Sequence, residues 1–185
     1  MEPRRGAFLD RDGVLNVRPP EHEYVRSEQG FRWLPGAPEA VRQLSSEGYV
    51  PIVVSNQRGI ALGQVTPQTI RAIEQVIQRD LRALGGSITD FYYCPHDLRD
   101  RCDCRKPKPG LLLQAAKEHD LDLASSVMIG DSESDVDAGR GAGCFTIRIA
   151  TNTHTETRAD LVAHSLHSAV ARLLRQGGSR AGVFS

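Results

Sequence analysis

At 185 residues the chain fits one domain with a sizeable core, since single cores grow to roughly 250–300 residues. Lys and Arg number 23, as do Asp and Glu, so no net field recruits nucleic acid or an anionic membrane surface. An apolar fraction of 39% and a charged fraction of 25% are ordinary for a globule, and no apolar run approaches the roughly 20 residues of a spanning helix. The first residues, Met-Glu-Pro-Arg-Arg-Gly, contain no apolar h-region, so no secretory leader is expected. Four cysteines do not make a disulfide framework at this length, and three of them crowd into 94–104. A cytoplasmic chain with reduced thiols is the expectation.

Ala7, Phe8 and Leu9 form a short apolar run that ends in Asp10, as in a buried strand delivering a carboxylate to a sheet edge. Asp12 follows two residues on, and Gly13 frees the backbone to turn. Two carboxylates at such a place repel each other and lose hydration unless a cation joins them, and hard oxygen donors suit Mg²⁺. The plainer reading is a strand followed by an exposed Asp-Gly turn. Residues 17–35 are polar and irregular: either a surface excursion packed down by Tyr24 and Trp33, or a substrate-contacting loop. A helix is predicted over 37–47, with Val41 and Leu44 inward and Gly48 closing it.

A second buried strand spans 50–54 and leads into Ser55-Asn56-Gln57-Arg58-Gly59. A hydroxyl and backbone N–H groups at a strand end can hold a phosphate, although Ser-Asn is also common turn chemistry. Thr66-Pro67 starts a long amphipathic helix that carries Ile70, Ile73, Val76, Ile77, Leu81 and Leu84 on one face. A third strand near 89–93 runs into Cys94-Pro95-His96 and then Cys102-Asp103-Cys104. Three thiols and an imidazole within eleven residues can close a tetrahedral Cys₃His zinc shell. The alternative, unrelated cysteines beside a stray histidine, sits poorly with the polar Asp-Leu-Arg-Asp-Arg between them. Arg105 and Lys106 follow the last of these ligands at once, ahead of a helix over 110–119.

A fourth strand over 127–129 ends in Gly130-Asp131-Ser132-Glu133-Ser134-Asp135. Ser132 and Asp135 have capping-box spacing for a helix over 135–142, which gives Asp135 a structural reason to be there; Asp131 has none. Strands at 144–149 and 160–163, with Cys144 as plain core, and a helix over 166–174 complete the alternation before a tail that frays from Gly177. Buried strands alternating with helices predict a single three-layer α/β/α Rossmann-like domain around a mainly parallel sheet, with no large cap domain and a small zinc-binding loop. Ligands then bind beyond the carboxyl ends of the strands.

The run from Ala7 to Asn16 resembles the first motif of the haloacid dehalogenase-like (HAD) phosphohydrolases, and the resemblance extends over roughly residues 7–150. It implies Asp10 as nucleophile and Asp12 as general acid/base. It further implies Ser55 as the phosphate-holding hydroxyl of the second motif and Lys106 as the phosphate-binding lysine. Mg²⁺ would rest on Asp10, Asp131 and the main-chain carbonyl of Asp12. A carboxylate attacking a phosphate monoester meets about 4 kcal/mol of repulsion per charge pair at about 4 Å and an effective dielectric near 20, so cations are required.

Within the superfamily, the loop of Cys94, His96, Cys102 and Cys104 with Arg105-Lys106-Pro107 is similar to that of two phosphatase families. These act on heptose 1,7-bisphosphates and on histidinol phosphate. Gln57, Gly59-Ile60-Ala61 and the run at 108–112 favour the former. The residues matching substrate contacts are Glu21, His22, Glu23, Tyr24, Asn56, Gln57, Arg58 and Arg105. Arg58 and Ser132 depart from the heptose pattern, which usually has a small and a basic residue there. The expected enzyme is a monomeric hydrolase that forms an aspartyl-phosphate on a small phosphorylated sugar, without nucleic-acid or membrane partners. A non-catalytic phosphate-binding protein on the same scaffold would not need Asp12.

Overall fold

Ala7, Phe8 and Leu9 are fully buried at the end of β1 (Arg5–Leu9), and the rest of the sheet is laid down on either side of them. The computed structural model describes residues 4–152 and 156–180. Around β1 are β2 (Tyr49–Asn56), β3 (Asp90–Cys94), β4 (Val127–Gly130), β5 (Phe145–Ile149) and β6 (Leu161–Ala163). They form one 6-stranded sheet in the order β3-β2-β1-β4-β5-β6, and every pairing is parallel. Both faces of such a sheet must be covered, which explains why its central strands are continuously apolar.

The covering helices are α1 (Ala37–Ser46), α2 (Pro67–Ala83), α3 (Gly110–His119), α4 (Glu133–Ala142) and α5 (Leu166–Arg180). Side chains alternate across each strand, so Ala7, Leu9, Val53 and Ile129 pack with α1, α2 and α5. Phe8, Ile52, Val54 and Met128 face the other way, towards α3 and α4. Cys144 lies in this second cluster as ordinary core. The three-layer architecture is as the strand–helix alternation predicts.

Several boundaries differ from the sequence reading. Strand β2 runs two residues beyond Val54, so Ser55 and Asn56 pair with Tyr93 and Cys94 as strand residues, not turn residues. Ser132 is the N-cap of α4, and the helix therefore begins at Glu133 with Asp135 inside its first turn. Leu84, predicted on the buried stripe of α2, is 43% exposed. It is the C-cap, with φ −100° and ψ 1°, where the helical repeat that would carry it inward has ended. Helix α5 continues through Gly177 to Arg180, and the remainder of the proposed tail lies outside the described residues.

The register aligns Leu9 with both Val53 and Ile129, and Asp10 N–H donates to the Ile129 carbonyl at 3.0 Å. Asp10 and Asp131 thereby follow the carboxyl ends of β1 and β4, and Ser55 is the penultimate residue of neighbouring β2. Strand order reverses between β1 and β4, the switch point at which open α/β sheets leave a crevice.

Candidate active site

The floor of that crevice is built on Lys106. Its side chain is buried, and its Nζ donates to the Val54 carbonyl at 2.8 Å. It also pairs with Asp10 Oδ1 at 2.9 Å and Asp135 Oδ1 at 2.6 Å. Burial would push an isolated lysine down, but the Asp10 and Asp135 charges overcome this and raise its pKa, fixing it as an ammonium. Asn56 positions the backbone: its Nδ2 donates to the Lys106 carbonyl at 3.0 Å, and its Oδ1 accepts from Lys106 N–H at 3.1 Å.

Asp135 is a cap, as its spacing predicts, with Oδ2 accepting from Ser132 N–H at 3.1 Å and from Ser132 Oγ at 2.6 Å. Its other oxygen goes to Lys106, a second role that the capping pattern does not announce. Gly130 permits the close approach, because a Cβ there would lie 2.1 Å from the Asp135 Cβ.

Asp12 sits in a different environment. Arg11 Nε and NH2 reach Oδ1 at 3.2 and 3.1 Å, and Arg11 NH2 reaches Oδ2 at 3.0 Å. Asn16 Nδ2 donates to Oδ1 at 2.9 Å and Gln57 Nε2 to Oδ2 at 3.1 Å. Gln57 Nε2 also lies 3.2 Å from Ser55 Oγ. Arg11, fully buried, is absent from the sequence reading. A charged residue between two aspartates reads as solvent-facing; its desolvation beside a carboxylate and a buried glutamine is a tertiary property.

Asp10, Asp131 and Asp135 each present a carboxylate oxygen within 4.8 Å of the others. Three carboxylates against the Lys106 ammonium and the Arg18 guanidinium leave a deficit of one positive charge. Asp131 Oδ1 is buried and accepts no hydrogen bond among the described residues; Arg18 NH2 stands 3.2 Å away as its ion-pair partner. Burial, reinforced by the Asp10 charge, pushes the Asp131 carboxyl up to about 7, and burial likewise raises Asp10. Gly13, at φ +90°, lets Asp131 come this close, since a Cβ there would meet its Oδ2 at 1.9 Å. Oxygen donors, local charge and an orphaned carboxylate oxygen all fit a divalent cation of the Mg²⁺ type.

The second donor group comprises Cys94, His96, Cys102 and Cys104. Cys94 Sγ lies 3.6 Å from both His96 Nδ1 and Cys102 Sγ, and His96 Nδ1 lies 3.2 Å from Cys104 Sγ. The edges of a tetrahedral zinc shell would be about 3.5–3.8 Å for Zn–S near 2.3 Å and Zn–N near 2.0–2.1 Å, so the donors are already nearly in place. Lys108 braces the loop, donating to the Cys102 carbonyl at 2.9 Å and to Asp103 Oδ1 at 2.8 Å.

An open cleft of about 530 Å³ lies over the carboxylates, walled by Asp10, Asp12, Ser55, Asn56, Lys106 and the segment from Arg18 to Tyr24. Glu21, His22, Glu23 and Tyr24 thus face it, so the 17–35 loop serves the cleft. It is also packed down, with Trp33 Nε1 donating to Asp80 Oδ2 at 2.9 Å on α2. Three predicted substrate contacts are placed elsewhere. Gln57 is buried in the Asp12 network, Arg58 is paired with Asp97, and Arg105 NH1 donates to the His96 carbonyl at 3.3 Å.

The HAD-hydrolase-like family model matches residues 103–175. The chain is 41% identical over 149 residues to the D-glycero-beta-D-manno-heptose-1,7-bisphosphate 7-phosphatase of Rhodopseudomonas palustris, covering 76% of this chain and 81% of that one. Its likeness to the enzyme of the same name from Haemophilus ducreyi is 37% over 175 residues, 88% and 94% of the two chains. Among solved structures, D,D-heptose 1,7-bisphosphate phosphatase from B. bronchiseptica, complexed with magnesium and phosphate, superposes with a TM-score of 0.85 at 30% identity. That match covers 93% of this chain and 99% of the other. The chain belongs to the HAD-like hydrolases, in the branch of the heptose-bisphosphate phosphatases.

The carboxylate cluster makes a prediction about stability. Asp131 holds its proton more tightly when folded, so its contribution to stability falls as pH rises from near 3.8 towards about 7. At pH 8 without divalent cations, Asp131→Asn should therefore raise the stability, by on the order of a few kcal/mol. The same change should abolish the Tm increase that Mg²⁺ gives the unaltered protein. Thermal melts with and without Mg²⁺ check both; an equal Mg²⁺ effect on the variant would remove Asp131 from the cation site.

Proposed function

We propose that the protein is a Mg²⁺-dependent phosphatase that removes the 7-phosphate of D-glycero-β-D-manno-heptose 1,7-bisphosphate and leaves the 1-phosphate. The observation that carries this is the pairing of Asp10 with buried Lys106 on the floor of a cleft that Asp12 also lines, with Asp131 in the carboxylate group around Asp10. Relatives named as 7-phosphatases of the β-heptose 1,7-bisphosphate support the choice of substrate. Asp10, Asp131 and the main-chain carbonyl of Asp12 would hold Mg²⁺, with Asp135 at the edge of the group. When bound, the ion supplies positive charge against the phosphoryl oxygens.

In the first half-reaction an Asp10 carboxylate oxygen attacks phosphorus, and the bond from phosphorus to the C7 oxygen breaks. Asp12 gives the departing alkoxide its proton. Lys106 and Ser55 hold the transferring oxygens, assisted by N–H groups after β2. In the second half, water attacks the aspartyl-phosphate, Asp12 takes its proton, and the Asp10 oxygen leaves phosphorus as carboxylate. Gln57, tied to both Asp12 and Ser55, is a positioning residue in this reading.

Glu21, His22, Glu23 and Tyr24 would meet the sugar from the cleft wall, and Asn56 would set Lys106. Arg58 and Arg105 would shape the rim through the zinc loop. Cys94, His96, Cys102 and Cys104 would hold one structural zinc, closed to substrate because the protein fills all four positions. A thiolate zinc shell needs reduced cysteines, which supports a cytoplasmic setting. The named side chains all fall within one α/β unit, which supports a single-domain enzyme; a monomer is the proposed state. No helix among the described residues is long and apolar enough to cross a membrane.

Asp10→Asn should fold normally by circular dichroism and lose Mg²⁺-dependent phosphate release, since an amide is not a usable nucleophile here. For the native protein, kcat/KM should be highest for the β-heptose bisphosphate. A higher value for histidinol phosphate would transfer the assignment to the sister activity. Separately, protein purified without chelator should carry one zinc per chain by elemental analysis, and Cys102→Ser should lower that content. Absence of zinc from the unaltered protein would refute the metal-staked loop.

A further inference from the structure

Arg58 and Arg105, the two arginines matched to substrate contacts in the sequence, are already engaged. Arg58 pairs with Asp97, and Arg105 donates to the His96 carbonyl. Arg11 is buried against Asp12, and Lys108 braces the zinc loop. Among the described residues, the cleft wall retains two cationic side chains, Lys106 and Arg18. Lys106 belongs to the reacting end, locked between two carboxylates. Arg18 is different: its side chain is 56% exposed, and it forms an ion pair with Asp131 Oδ1 at 3.2 Å.

That oxygen accepts no hydrogen bond among the described residues and belongs to the carboxylate group suited to a divalent cation. A carboxylate oxygen that takes Mg²⁺ at about 2.0–2.1 Å cannot serve a guanidinium equally well, because two cations then share one anion. We propose that Arg18 is a two-position specificity residue. It pairs with Asp131 until a divalent cation takes that oxygen, and then grips the substrate's second, non-reacting phosphate. A guanidinium on a flexible stem suits this because it forms bidentate bonds to phosphate and pays little to be rehydrated between partners. Arg18 stands between Val17 and Pro19-Pro20, which stiffen the backbone that presents it. The proposal rests on the bisphosphatase reading above.

Arg18→Gln and Arg18→Lys test it, each first compared with the unaltered protein by circular dichroism and thermal melting. Mg²⁺ titrated into substrate-free protein by calorimetry should bind Arg18→Gln more tightly, because its competitor for Asp131 is gone. In kinetics, the ratio of kcat/KM for heptose 1,7-bisphosphate to that for an aryl monophosphate should fall roughly tenfold to a hundredfold in Arg18→Gln. Arg18→Lys should recover part of that ratio. Unchanged or weaker Mg²⁺ binding by Arg18→Gln overturns the competition, and an unchanged ratio overturns the phosphate grip. Should the unaltered protein itself fail to favour the bisphosphate, the substrate assignment falls, while the calorimetric arm still decides whether Arg18 and the cation compete.

Discussion

A buried ammonium holding two buried carboxylates is the constraint on which the rest of this structure depends. Lys106 touches Asp10, Asp135 and the Val54 carbonyl, and all three residues are buried. Leaving one such charge unpaired in a protein interior costs roughly 3–5 kcal/mol, so the partners are obliged to stay together. Three strands and a helix are tied by this one side chain: β1 through Asp10, β2 through Val54, and the β4–α4 junction through Asp135. The same contacts make Asp10 a single, fixed acceptor position at the sheet edge. Structure and reactivity share a cause here.

Lys106 cannot reach that point by local preference, and the zinc-type loop explains how it is brought there. Cys94 ends β3 in register with Asn56, and Asn56 clasps the Lys106 backbone from the neighbouring strand. Cys104 lies two residues before Lys106 in the chain. A loop drawn together at Cys94, His96, Cys102 and Cys104 therefore stakes Lys106 from both sides without covering the cleft. Arg58 and Arg105 strengthen the stake through Asp97 and His96. The cleft is walled by the Arg18–Tyr24 segment, to which the proposed reading assigns substrate contact.

Much of this was legible because it is written in short-range chemistry. Apolar runs ending in Asp10, Ser55 and Asp131 declare strands that end at one rim, and four soft ligands in a polar loop declare a metal shell. Thr66-Pro67 marks a helix start that the structure has, and the Ser132–Asp135 spacing marks a capping box whose helix begins two residues before the predicted 135. What escaped depends on pairs far apart in the chain. Arg11 looks like any charged turn residue until Gln57, 46 positions away, buries it. Arg58 looks like a free cation until Asp97 occupies it. Asp135 satisfies its local capping pattern so fully that nothing in the sequence hints at Lys106. Leu84 fits the helical repeat, but the repeat stops one residue before it.

The covalent role of Asp10 is open to direct observation. Protein mixed with excess substrate and Mg²⁺, quenched in acid within the first turnovers and digested, would be mapped by mass spectrometry for a phosphoryl group on the peptide containing Asp10. The expected result is an acid-stable, hydroxylamine-labile phosphorylation on Asp10 that disappears when the sample is chased before quenching. Rapid phosphate release with no phosphorylated peptide at any quench time would contradict transfer to the carboxylate that Lys106 holds.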